Sequence, residues 1–95
     1  MKLLLAIVRD DYEADVIFAL NDKGFSVTRI STTGGFWRRG NTTLLLGTED
    51  ERIPEALEII NQHAGPEIET KSAPSSHPPR RATIFVMDVD ACERY

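Results

Sequence analysis

Most of this chain's special chemistry lies in twelve consecutive residues, Thr32-Thr33-Gly34-Gly35-Phe36-Trp37-Arg38-Arg39-Gly40-Asn41-Thr42-Thr43. Two glycines let the backbone turn, an aromatic pair follows, then an arginine pair, then Gly-Asn-Thr-Thr. No Asp or Glu occurs between Lys23 and Thr48, although the chain holds 15 acids against 11 Lys and Arg and has a formal net charge of -4. Arginine matches phosphate geometry because its planar fork donates two parallel hydrogen bonds. An exposed aromatic offers a face on which a base can stack. The combination predicts a site for an anionic ligand with a flat ring, such as a nucleotide. It contains nothing suited to breaking bonds.

The glycines do not make a phosphate loop of the Walker type. That motif needs Lys then Ser or Thr after its second glycine and opens a helix. Here Asn41 takes the lysine's place and a strand-like run follows. A hairpin turn with glycine at positive φ explains the same residues, and such a turn also lets backbone approach a phosphate. Phe36 and Trp37 cannot both point into one small core, so one is free for a ring or for a neighbouring subunit. Lys23, Arg29, Arg38 and Arg39 fall in one acid-free window, and Lys71, Arg80 and Arg81 in a second, from Thr70 to Met87. Singly each is a solvated loop charge; jointly they can form a positive patch on an acidic protein. Catalytic sets are missing from the sequence. His63 and His77 have no Cys or carboxylate at metal-ligand spacing, and Cys92 has no histidine partner. Asp10-Asp11 and Glu49-Asp50-Glu51 read as helix starts.

Around this segment, the elements that must position it are readable. Lys2 to Val8 is an apolar run of strand length, expected to be buried on both faces. Asp10 or Asp11 is placed to cap a helix, with Ala14, Ile17, Phe18 and Leu20 as its apolar face and Gly24 as its C-terminal cap. Phe25 to Ser31 alternates as a strand, and Thr42 to Gly47 is the next. Thr48-Glu49-Asp50-Glu51 opens a second helix, with Pro54 in its first turn and a stripe of Ile53, Ala56, Leu57 and Ile60. Gly65 to Pro79 loses the pattern to Pro, Ser and charge and reads as a flexible loop over 65–80. Arg81 to Val89 is the last strand. Strand-helix-strand twice over predicts an α+β, ferredoxin-like βαββαβ sandwich, with one antiparallel sheet and two helices on one face. The strands are rich in Leu, Ile, Val and Phe, so the uncovered face calls for a cover such as another subunit.

Length and composition set the outer limits. Ninety-five residues predict a single domain, 1–95, with a thin core that gains from oligomerisation. The acidic balance argues against general nucleic-acid binding. The single cysteine excludes an internal disulfide and favours a reducing, cytoplasmic setting. The run Leu3 to Val8 ends at Arg9-Asp10-Asp11 and does not read as a signal peptide. No stretch reaches membrane-spanning length, so no membrane partner is expected.

The run Val27-Thr28-Arg29-Ile30-Ser31-Thr32-Thr33-Gly34-Gly35-Phe36, followed by Gly40-Asn41-Thr42-Thr43 and Gly47, resembles the PII-like cyclic-di-AMP receptor family. So do the opening Met1 to Val8 with Asp10 behind it, and the last strand Ala82-Thr83-Ile84-Phe85-Val86-Met87 with Val89-Asp90. The resemblance implies a homotrimeric signalling protein, not an enzyme, with a cyclic-di-AMP site at each subunit cleft and no other cofactor. The ligand-binding residues it implies are Thr28, Arg29, Gly35, Phe36, Trp37, Asn41, Gly47, Phe85 and Arg94. Phe36 would stack on or flank an adenine, Trp37 would add apolar area, Asn41 would read a base edge or hold the loop, and Thr28 would donate to phosphate. The chain departs from the family pattern in four places. Ser26 stands where arginine is common, Arg80-Arg81 replaces a glycine pair after a shortened segment, Asp88 stands where proline is common, and Arg94 falls at a ligand-binding glutamine of the tail.

The function expected is therefore a nucleotide-responsive signalling protein whose loop residues 32–40 rearrange on binding. The downstream protein it would address is not named by the sequence. Two alternatives stay open: a PII-like sensor of another nucleotide or anion, such as ATP or ADP, and a protein-interaction module without a small ligand.

Overall fold

The computed structural model describes residues 1–30, 40–66 and 81–95. Strand β1 (Lys2–Arg9) leads through a turn of 3-10 helix at Asp10–Tyr12 into helix α1 (Glu13–Asp22), followed by β2 (Val27–Ile30). Strand β3 (Asn41–Thr48) leads through a second such turn at Asp50–Arg52 into α2 (Ile53–His63), and β4 (Ala82–Asp88) ends the order. The four strands form one antiparallel sheet in the order β2-β3-β1-β4. This is the βαββαβ arrangement of a ferredoxin-like, PII-like protomer.

Register divides the side chains cleanly, because successive residues of a strand point to opposite faces. Leu4, Ala6 and Val8 of β1 share one face with Leu46, Leu44 and Thr42 of β3 and with Val86, Ile84 and Ala82 of β4. Against this face pack Val16 and Leu20 of α1 and Ala56, Ile59 and Ile60 of α2, all buried. Phe25, just before β2, closes the core between the helices and the sheet.

The opposite face carries three cross-strand rows: Ile30, Thr43, Ile7 and Thr83; then Thr28, Leu45, Leu5 and Phe85; then Gly47, Leu3 and Met87. Phe85 is 50% exposed and Met87 38% exposed. Leu3, Leu5, Ile7 and Leu45 are half-buried. No helix among the described residues covers this face. The expectation that β1 is buried on both faces is thus corrected: its run is continuous in hydrophobicity, but only one side is sealed within the protomer.

The helices carry further corrections. Neither Asp10 nor Asp11 caps α1, whose N-terminus has no side-chain cap. The Asp10 carboxylate instead accepts from Thr42 Oγ1. In α1 the buried pair is Val16 and Leu20, with Ile17 and Ala19 beside it, while Ala14 and Phe18 face outward, Phe18 being 75% exposed. Ala14 and Phe18, four residues apart, share one side of α1, and Val16 and Leu20, also four apart, share the side that meets the sheet. In α2 the stripe includes Ile59, which the expected set lacks; Ile53 and Leu57 are its half-buried flanks. Gly24 ends α1 at φ +87° with its N–H donating to Asn21 O at 3.0 Å, as expected of a left-handed terminator. Pro54 sits in the first turn of α2, where its missing N–H has no partner to lose.

Candidate functional site

The described end of the Gly-Phe-Trp-Arg-Arg segment is built from its stems. Gly40, at φ +90°, turns the chain into β3, and the Asp10 N–H donates to Gly40 O at 2.7 Å. Two residues on, the Thr42 hydroxyl lies between two carboxylates, against Asp10 Oδ1 and 3.1 Å from Glu13 Oε2. Glu13 also takes Arg29, with Nε 2.6 Å from Oε1. Residue 29 is near the end of β2 and residue 42 near the start of β3, so the first turn of α1 holds both stems of the intervening segment. Charged hydrogen bonds of this kind are stronger than neutral ones, although Arg29 is exposed enough for solvent to weaken its share.

Each expected site residue has a definite place or lies outside the described residues. Gly35, Phe36 and Trp37 fall in 31–39, outside them, as do Arg38 and Arg39. Thr28 is exposed on the open face, at the β2 edge. Arg29, its neighbour, points to the helix side and to Glu13. Strand alternation alone requires that split, so Thr28 and Arg29 address different sides of the sheet. Asn41 begins β3 opposite Arg9, next to Gly40. Gly47 is exposed on the open face opposite Leu3, and a Cβ built there would meet Met1 Cε at 2.9 Å. Phe85 lies on the same face at the β4 edge. Arg94 is exposed in the tail beyond β4.

The structure therefore brings Thr28, Gly47 and Phe85 to one face, but not to one spot. Thr28 and Phe85 end the same row, three inter-strand steps apart, or about 14 Å at the usual ~4.8 Å spacing.

Sequence reasoning missed a second polar centre at the end of α2. Arg9 Nη2 donates to Ala64 O at 3.0 Å and Pro66 O at 2.9 Å, and its guanidinium stacks over Tyr12 at 4.7 Å. Arg81 donates to Gly65 O at 2.8 Å, Asn61 Oδ1 at 3.0 Å and Asn61 O at 2.6 Å. Both cations thus sit where a helix leaves its carbonyls unpaired and its dipole is negative. Arg81, which the charge windows grouped with a candidate anion patch, is engaged in holding the helix end. The available signal was Gly65 two residues after His63, a C-terminal glycine with arginines free to reach it.

Among the described residues no group of three or more His, Cys, Asp or Glu side chains is placed to hold a metal ion, and Cys92 is a free, exposed thiol. No described helix is long and apolar enough to cross a membrane.

Fold and site define a PII-like βαββαβ protomer with a sheet face that no described helix covers and with the end of β2 and the start of β3 both held by Glu13. The family model for the cyclic-di-AMP receptor matches residues 1–95, and the chain belongs to that family. Among solved structures, it is similar to a functionally unknown protein from Pediococcus pentosaceus ATCC 25745, with 38% identity, a TM-score of 0.76, and coverage of 99% of this chain and 96% of that one. Receptor membership indicates a binding and signalling role rather than catalysis.

Proposed function

We propose that the protein is a cyclic-di-AMP receptor that binds its ligand at the clefts of a homotrimer. The observation that carries this reading is the placement of Thr28 and Phe85 at opposite edges of one sheet face, in a chain matched along its whole length by the receptor family. One protomer holds these two groups about 14 Å apart. A neighbouring copy that sets its β4 edge beside the first copy's β2 edge would join them. Such an edge-to-edge contact uses two different surfaces, and repeated contacts of that kind close into a ring. The open face supplies the apolar area for it, since no described helix covers Leu3, Leu5, Leu45, Phe85 and Met87.

In this site, Thr28 and Asn41 provide hydrogen bonds to phosphate and base, Phe36 stacks with adenine, and Gly47 leaves room for close approach. Phe85 and Arg94 come from the adjoining copy. Arg29 serves indirectly: with Glu13 and Thr42 it fixes where the segment between β2 and β3 begins and ends. Ligand binding then biases that segment and so changes the surface offered to a downstream protein. The setting is cytoplasmic, with neither nucleic acid nor membrane as partner.

Subunit mixing tests the reading. Thr28→Ala and Phe85→Leu should each abolish cyclic-di-AMP binding as pure proteins of unchanged mass. Co-refolded in equal amounts, they should regain about a quarter of the sites, because every mixed ring of three has one junction with both edges intact. No regain on mixing, with both parents still trimeric, would contradict the shared cleft.

A further inference from the structure

The last turn of α2 and the start of β4 do not close on each other. Between them lies a cavity of about 300 Å³, lined by Ile60, Asn61, Ala64, Arg81, Ala82 and Ile84. Ala82 and Ile84 point to the helix side of the sheet, in register with Val8 and Ala6. The cavity is therefore on the face opposite Thr28, Gly47 and Phe85, away from the cleft proposed for the dinucleotide. Its volume is at the lower end of the range for small-molecule sites, roughly 300–1,000 Å³, so it suits a compact ligand.

Among the described residues its lining is one cation and one amide, Arg81 and Asn61, against apolar walls. Ile60, Ala64, Ala82 and Ile84 present hydrocarbon. Arg81 donates to Gly65 O, Asn61 Oδ1 and Asn61 O, all neutral acceptors, and no carboxylate among the described residues lies within ion-pair distance of it. A guanidinium has five N–H groups; three are used by these partners. The planar fork favours a carboxylate. The apolar walls disfavour a strongly hydrated ligand, which would lose water without recovering hydrogen bonds.

We propose that this cavity binds a small amphipathic carboxylate, its alkyl body against Ile60, Ala64, Ala82 and Ile84 and its head on Arg81, at a site separate from the dinucleotide cleft. Hexanoate is the probe, with hexan-1-ol and hexylamine as controls of equal body and different head. Nuclear magnetic resonance titration of the full chain should show saturable shifts for the lining residues with hexanoate. Hexan-1-ol should bind about tenfold more weakly and hexylamine not at all. Arg81→Gln should lower hexanoate affinity to that of the alcohol, and Arg81→Lys should keep part of the difference. Ala82→Leu should fill the cavity and remove both ligands while leaving the cyclic-di-AMP titration unchanged. If Arg81→Gln does not fold, the hexanoate-to-hexanol ratio on the native chain decides alone. Equal binding of acid and alcohol, no saturable shift by ~10 mM, or displacement of hexanoate by cyclic-di-AMP would each overturn the proposal.

Discussion

Gly24, Gly40 and Gly65 share nearly the same backbone angle, with φ of +87°, +90° and +94°, but a methyl group would meet different surroundings at each. At Gly40 nothing among the described residues lies within 4 Å of the added Cβ. Gly40→Ala therefore costs only the left-handed conformation, about 1–2 kcal/mol, partly offset by a stiffer unfolded chain. At Gly65 the Cβ would collide with Arg9 Nη2 and sit 2.5 Å from Tyr12 Cε2. Arg9 would have to leave Ala64 O, Pro66 O and the Tyr12 ring. With the half-exposed hydrogen bonds taken at about 1 kcal/mol each, the stacking at ~0.5–1 kcal/mol and the same net left-handed cost of about 1 kcal/mol, Gly65→Ala should cost about 3.5–4 kcal/mol. Thermal unfolding at one fixed protomer concentration should show Tm falling by roughly 4–8 °C for Gly40→Ala and by roughly 14–32 °C for Gly65→Ala. The Gly65→Ala cost should shrink in an Arg9→Ala background, because the two changes remove the same contacts. Equal losses at Gly40 and Gly65 would show that the arginine-aromatic plug does not hold the end of α2.

Other outcomes follow from the same contacts. If the proposed trimer forms, Phe85→Asp should reduce it to smaller species in light scattering, since it puts a charge into a half-exposed apolar row; an unchanged mass would remove β4 from the proposed interface. Thr42→Val should destabilise urea unfolding by about 1–2 kcal/mol, because the hydroxyl between Asp10 and Glu13 is lost, and Thr42→Ser should restore most of it. The Lys2–Asp88 hydrogen bond holds the Asp88 carboxyl below its usual range and Lys2 above its own. Asp88's contribution is present at neutral pH and lost as pH falls through its lowered pKa; Lys2's persists until pH rises through its raised one. Lys2→Met and Asp88→Asn should each flatten both limbs of a pH-stability profile, and ~1 M salt should do the same to the native chain.

Much of the fold was legible because hydrophobic period and turn residues agreed. β1, β3 and β4 are apolar runs bounded by charge or glycine, and Gly24 and Pro54 mark helix limits for local backbone reasons. The outward turn of Phe18 was not legible. A single exposed aromatic breaks the period, and Phe18 with Ala14 offers a second apolar pair at helical spacing beside Val16 and Leu20. Of the site, the described residues reach only the stems, and residue types there did not tell that Arg29 faces Glu13 while Thr28 faces outward. That split comes from strand register, and register is set by pairing partners distant in sequence. Arg81 shows the same limit from the other side. Its charge suggested a ligand, whereas its hydrogen bonds hold the end of α2 and leave only part of the guanidinium for anything else.

The most direct measurement of the central claim is a calorimetric titration of the purified protein with cyclic-di-AMP, beside ATP, ADP and cyclic-di-GMP. Saturable, sub-millimolar binding of cyclic-di-AMP at one molecule per protomer, weakened at least tenfold by Phe36→Ala and by Asn41→Ala without loss of fold, is the predicted result. Absence of heat and of thermal stabilisation with cyclic-di-AMP, or tighter binding of ATP, would contradict it.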